Sequence, residues 1–147
     1  MASIYDTSDN TQLINRIQKL NASSTPLWCK MSVDQMCEHC IAAINVAFGK
    51  QDLTISFPMR LLGRLLKNKA FNSDFGKNSP TAKEFRITSH SDFEKSQTQL
   101  IVCVQEFAKG TSVITVMHHP FWGKMSFEDW DKLMYRHLDH HLRQFGV

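Results

Sequence analysis

RHLDHHLRQFG, residues 136–146, decides the reading of this chain. His137 and His141 stand four residues apart, so on an α-helix they project from one face, one turn above the other, where two imidazoles can share a metal ion. Trp130, Leu133, Met134, Leu138 and Phe145 recur at helical spacing and turn that face toward a core. Lys132, Arg136, Asp139 and Arg143 fall mainly on the opposite side. Ser126 and Asp129 have the spacing of a capping box that opens the helix, and Gly146 closes it. The histidine pair therefore points inward.

Outward from that helix the chain reads as further helices. Ser8 or Asp9 is placed to cap a first one carrying Leu13, Ile17 and Leu20, stopped by NASSTP. Ser32 and Gln35 open a second that carries Met36, Cys37, Cys40, Ile41, Ile44 and Phe48 and ends at Gly49. Ser91 with Glu94 opens a third, with Phe93, Leu100, Ile101, Val104, Phe107 and Ala108 on one face and Gly110 beyond it. Between residues 50 and 80 the pattern weakens to an insertion. There MRLLGRLLK reads as a short basic amphipathic helix, and NSDFGKNSP has loop composition. SVITVM is β-branched but has no obvious strand partner, so it is expected to be a long connection. The fold class is all-α: four principal helices in a bundle, with a long connection carrying a short extra helix.

At 147 residues the chain is expected to form a single domain, 1–147, with enough core to fold without staples. Its net charge of +3 is spread out apart from a modest cluster at 60–69, and no basic-aromatic alternation follows a nucleic acid backbone. That cluster is expected to be a solvated amphipathic face rather than a cover over a bundle edge or a site for an acidic partner. No apolar run is long enough to span a bilayer, and MASIYDTSDN lacks the regions of a signal peptide. The expected compartment is the cytoplasm, with no membrane and no nucleic acid partner. The four cysteines, Cys29, Cys37, Cys40 and Cys103, are then reduced, and are buried apolar groups before they are ligands or reactive thiols.

A third metal ligand has to come from a facing helix, and His39 lies in the second one beside its apolar stripe. A lone buried histidine there needs a partner or stays uncharged, whereas three imidazoles converging on one cation resolve the cost together. Cys37 and Cys40, in C-x-x-C spacing, with His137 and His141 make a minor rival. Its halves lie about a hundred residues apart, which is not the zinc-finger signature.

The segments LWCKMSVDQMCEHC, SPTAKEF, HHPFWGKMSFEDW and YRHLDHHLRQFGV resemble a branch of the DinB/YfiT-like superfamily made up of small, mostly uncharacterised bacterial proteins. The resemblance runs from the first helix to the C-terminus and is most specific at HLDHHLRQFG. It implies a metal-binding four-helix bundle, often a homodimer, whose divalent ion is held by one histidine of the second helix and the H-x-x-x-H pair of the last. Carried onto this chain, the ligands are His39, His137 and His141, in agreement with the reading from helix faces. Cys29 departs from the family pattern, standing where relatives commonly have glycine. Trp122 stands where a second phenylalanine is usual.

Three protein ligands leave a coordination position for water or substrate, the pattern of a catalytic site. All-imidazole ligation suits zinc, nickel or iron. The expected function is a metal-dependent enzyme of hydrolase or thiol-transferase type. Its substrate is a small molecule, and the resemblance adds low-molecular-weight thiols. The alternative is a noncatalytic metal-binding, stress-response or interaction protein in which the ion is structural or absent. Around the ligands, His140 is rotated about 100° from its neighbours, toward the edge of the site or an interface. Gln144 and Glu38 are candidates to orient the imidazoles, although a solvated face explains Glu38 better. His118 and His119 lie in HHPFWG, which either folds over the mouth of the bundle or, as preferred here, packs as a Pro-aromatic turn. Trp28 is expected to plug the bundle end and Trp130 to be core.

Overall fold

The computed structural model describes residues 2–147 and is mostly helical. Its helices are α1 (Thr7–Gln18), α2 (Val33–Ala47), α3 (Phe57–Asn72), α4 (Phe93–Phe107) and α5 (Phe127–Gln144). Single 3₁₀ turns lie at Lys83–Phe85 and Gly110–Ser112, and the two-residue strands β1 (His118–His119) and β2 (Gly123–Lys124) pair antiparallel. Among the described residues no helix is long and apolar enough to cross a membrane.

The helices begin where short polar side chains can satisfy free backbone N–H groups. In α5 the expected box is present: Ser126 Oγ accepts from Asp129 N at 3.1 Å, and Asp129 accepts from Ser126 N at 2.9 Å. In α2 Gln35 accepts from Ser32 N at 3.1 Å, and Gly49 follows the last turn with φ +70°, a left-handed conformation that suits glycine. The other two caps differ from the sequence reading by a residue or two. Asp6, ahead of Ser8 and Asp9, caps α1 by accepting from both their N–H groups. Asp92 caps α4 by accepting from Lys95 N at 3.0 Å, while the Ser91 hydroxyl pairs with Ser96 at 2.9 Å. A carboxylate next to a serine wins the cap because it is the stronger acceptor and favours the positive end of the helix.

Helix α4 packs against α2 and α1, and α5 against α2, α1 and α3. Leu13, Ile17, Met36, Ile44, Leu100 and Leu138 meet in the core at full burial, each contributing roughly 1.5–3 kcal/mol of hydrophobic stabilisation. Trp130 is fully buried, and its Nε1–H donates to the Val116 carbonyl at 2.7 Å. Thr115 N and Val116 N both donate to Ala47 O, at 3.0 and 3.2 Å. SVITVM is thus an irregular connection tied to the end of α2 and to the central tryptophan.

Two features depart from the expected fold class. The first is the small hairpin from His118 to Lys124, where the sequence reads as a Pro-aromatic turn. The second is α3, which is not a short extra helix but runs 16 residues and leaves much of its apolar surface exposed. Gly63 is buried against the Phe121 backbone, Lys67 donates to Asp129 at 2.8 Å and to the Lys124 carbonyl, and Arg60 Nε donates to Ile55 O at 2.9 Å. Of its cations only Lys67 is partly buried; Arg60, Arg64 and Lys69 are exposed, as are Leu61 and Leu65 at 53% and 73%. The helix covers an edge at α5 and β2, and its exposed surface mixes leucines with Arg60, Arg64 and Lys69.

Candidate metal centre

His39 from α2 and His137 and His141 from α5 converge, with one ring nitrogen of each within 4.8 Å of the others. Ring centroids are 5.0 Å apart for His39 and His137, 4.6 Å for His39 and His141, and 4.7 Å for His137 and His141. One helical turn places the α5 pair, and the packing of α2 on α5 brings His39 to it.

Hydrogen bonds orient two of the three rings. His39 Nδ1 lies 2.9 Å from the Phe85 carbonyl, so it carries the proton, donates it there, and leaves Nε2 as a bare lone pair. His141 Nδ1 lies 2.8 Å from Gln144 Oε1, and the Gln144 amide in turn donates to the Trp28 carbonyl at 2.8 Å. The second bond settles which end of the Gln144 amide faces His141, so Nε2 of His141 is also bare. A protein acceptor on the outer nitrogen is the usual support for a metal-ligating histidine.

His137 is left with a conflict. Its Nε2 lies 3.0 Å from His39 Nε2, and its Nδ1 is covered and has no partner among the described residues. If Nδ1 carries the proton, a buried donor goes unsatisfied and two lone pairs face each other across 3.0 Å. If Nε2 carries it, Nδ1 becomes the unsatisfied acceptor. A cation between the Nε2 atoms accepts both lone pairs, leaving only the His137 Nδ1–H unpartnered, and roughly 3 Å is the separation of neighbouring nitrogens each about 2.0–2.1 Å from one ion. The donor set fits a divalent metal on this ground.

The electrostatics agree. Burial first, then the neighbouring imidazoles, pushes His137 well below the ordinary histidine value. Burial and His39 push His141 down to about 3 against the opposing Gln144 bond. His39 is also lowered by burial, opposed by its bond to Phe85. All three are held neutral, the form that binds metal.

The group lies in the wall of a cavity of about 890 Å³, within the usual range for small-molecule sites. Phe75 and Phe85 flank it, edge-on to His137 at 6.4 Å and to His39 at 5.8 Å. The stretch read from the sequence as an insertion supplies much of the wall, through Leu53, Ile55, Met59 and Phe75.

The remaining candidates separate clearly. Gln144 orients His141 as expected. His140 is half-buried at the edge of the group, its ring 5.1 Å from His141 and 5.8 Å from Trp28. Glu38 does not reach His39; it accepts from Ser96 Oγ at 2.6 Å. His118 is exposed, and His119 is buried in the cavity wall, where its Nδ1 accepts from Phe121 N at 3.0 Å and Trp122 N at 3.2 Å. His119 thus builds the Pro-aromatic turn and makes no hydrogen bond to the three histidines. Cys37 and Cys40 join no ligand group among the described residues, which overturns the mixed cysteine site. Cys40 Sγ packs 3.8 Å from Met36 Sδ, and burial followed by Glu38 and Asp34 pushes the Cys37 thiol up to about 12. Sequence reasoning missed the Phe85 carbonyl and the Trp28 carbonyl. The only signal for either was its place in SPTAKEF and LWCKMS, two of the segments that carry the family resemblance.

A helical protein with three neutral imidazoles converging in the wall of an apolar cavity belongs to the class of candidate metal-binding proteins. The chain belongs to the family described as "Protein of unknown function (DUF1569)", whose model matches residues 5–146. No curated protein matches the chain, and no solved structure does.

Proposed function

We propose that this chain is a divalent-metal-binding protein of DinB/YfiT type. In this reading α1, α2, α4 and α5 are its four-helix bundle, α3 lies on the connection, and His39, His137 and His141 are the ligands. The observation that carries the reading is the trio of ring nitrogens within 4.8 Å, two of them oriented by hydrogen bonds from behind. Zinc, nickel and iron suit an all-imidazole set.

The ligand group lies in the wall of a cavity large enough for a small molecule, which favours an enzyme of hydrolase or thiol-transferase type. A divalent ion there supplies Lewis-acid activation of water or of a substrate thiol. The chain's own part is to position and to desolvate. Phe85 and Gln144 hold two imidazoles in the neutral tautomer, and Phe75 and Phe85 limit water around them. A noncatalytic reading keeps one observation in its favour: ligands drawn from α2 and α5 cross-link two helices of the core.

The test is metal content by plasma mass spectrometry on untagged protein, beside His39→Ala and His137→Ala. About one equivalent in the parent, lost in both variants, is expected. No metal after growth in supplemented medium, or full retention in the variants, overturns the three-histidine site. A catalytic ion predicts His39→Ala protein that melts close to the parent but turns over none of the thiol-transfer or hydrolase substrates that the parent accepts. A structural ion predicts a large fall in melting temperature instead.

A further inference from the structure

The charge of the cavity points to a class of ligand. The chain has 14 acidic residues, yet no Asp or Glu lines the cavity. Its interior is apolar, with Leu53, Met59, Phe75, Phe121, Trp122 and Met134 among the walls. The fixed charges in the lining are all positive: Lys30, Lys83 and Arg86. All three are exposed and so mark the mouth, and none takes part in an ion pair among the described residues. Lys77 adds a fourth cation at the same side, its Nζ 4.6 Å from the centre of the Trp28 ring.

Trp28 lines the cavity, and its ring lies against the Lys77 ammonium. Cations around a low-dielectric cleft raise the local concentration of anions, and the apolar walls reward an apolar body.

We propose that the cavity binds a small organic carboxylate with an apolar body. Its carboxylate is held at the mouth by Lys30, Lys83 and Arg86, and its apolar part extends toward the three histidines. This assignment rests on the proposed reading of the cavity as the entrance to the metal centre, but its test does not require the metal.

The test compares 2-naphthoate with its neutral isostere 2-naphthamide by titration calorimetry at low salt. Untagged protein is used, both as purified and after metal removal, with folding checked by circular dichroism. Naphthoate is expected to bind at least about tenfold more tightly than naphthamide, the worth of one charge-assisted contact. In the Lys83→Gln, Arg86→Gln double variant the preference should fall to about threefold or less with naphthamide affinity unchanged, since both changed side chains are exposed. Equal affinity for the two compounds, no binding of either, or a preference that survives the double variant overturns the proposal. Charge preference in a protein that holds no metal as purified and takes up none when it is supplied would sink the metal reading and leave this one standing. Metal without charge preference would do the reverse.

Discussion

Gln144 holds His141 by one end of its amide and the Trp28 carbonyl by the other, at 2.8 Å in each case. One buried side chain therefore fixes the tautomer of a candidate ligand and ties the start of the cavity wall to α5.

Gln144→Leu keeps the volume and removes both bonds. Metal affinity is expected to fall about 10–100-fold, the usual effect of losing the group that orients a ligand. Stability should fall by about 1–3 kcal/mol, because the Trp28 carbonyl is left unpaired. Competition with a chelator of known affinity and urea unfolding of the metal-free protein measure the two effects separately. Unchanged metal affinity would mean that His141 is not a ligand.

His119 gives a pH dependence with a definite sign. Burial, then His118 and Lys67, pushes it from 6.5 down to about 4. Its Nδ1 accepts two backbone N–H groups and cannot do so once protonated. The unfolded chain takes up the proton first, so the stabilisation is complete above about pH 6.5 and is lost as pH falls toward 4. By pH 5 the loss is about 2 kcal/mol. His119→Asn offers a carbonyl oxygen to the same N–H groups and does not titrate. The stability difference between parent and variant should therefore shift by about that amount, in the variant's favour, between pH 7.5 and 5. The other histidines titrate in both proteins and cancel. A difference independent of pH would refute the buried neutral state of His119.

Cys29 is exposed and holds φ at +72°, where a side chain other than glycine is strained by about 1 kcal/mol. Cys29→Gly relieves that strain but frees the unfolded chain, for a net gain of roughly 0.5 kcal/mol. Cys29→Ala removes the thiol while keeping the strain, and should change stability little. Thermal melts of the two variants separate backbone strain from thiol chemistry; equal shifts would assign the effect to the thiol.

Gly63 is where α3 touches the hairpin. A Cβ added there would lie 2.2 Å from the Phe121 carbonyl oxygen and 2.8 Å from its Cδ1. Gly63→Ala should lower stability by about 1–3 kcal/mol even though alanine favours the helix by about 1 kcal/mol. It should also disturb Phe121 in the cavity wall. Urea unfolding checks the sign, and a more stable variant would show that α3 is not seated on the hairpin.

The histidine trio was legible because helical periodicity is a local property. His137 and His141 share a face whatever surrounds them, and the apolar residues around them turn that face inward. His39 was legible because a histidine beside the buried stripe of α2 needs a partner. The capping boxes and Gly49 marked helix ends through contacts within a few residues.

The cavity was not legible. Its walls join Trp28, Phe75, Phe85 and Phe121, residues far apart in sequence that meet only when the connections wrap around α2 and α5. Basic and apolar spacing defined α3 as amphipathic without saying which side faces the body. Gly63, Phe71 and Lys67, the last bonded to Asp129 and the Lys124 carbonyl, mark the side that packs, and several leucines are left outside. The sequence by itself determined α1, α2, α4 and α5, their inward faces and the three histidines, because these follow from spacing along one chain segment. Only the tertiary structure decided which backbone carbonyl orients His39, which side of α3 is buried and what charge surrounds the cavity, because each depends on how separate segments are rotated and brought together.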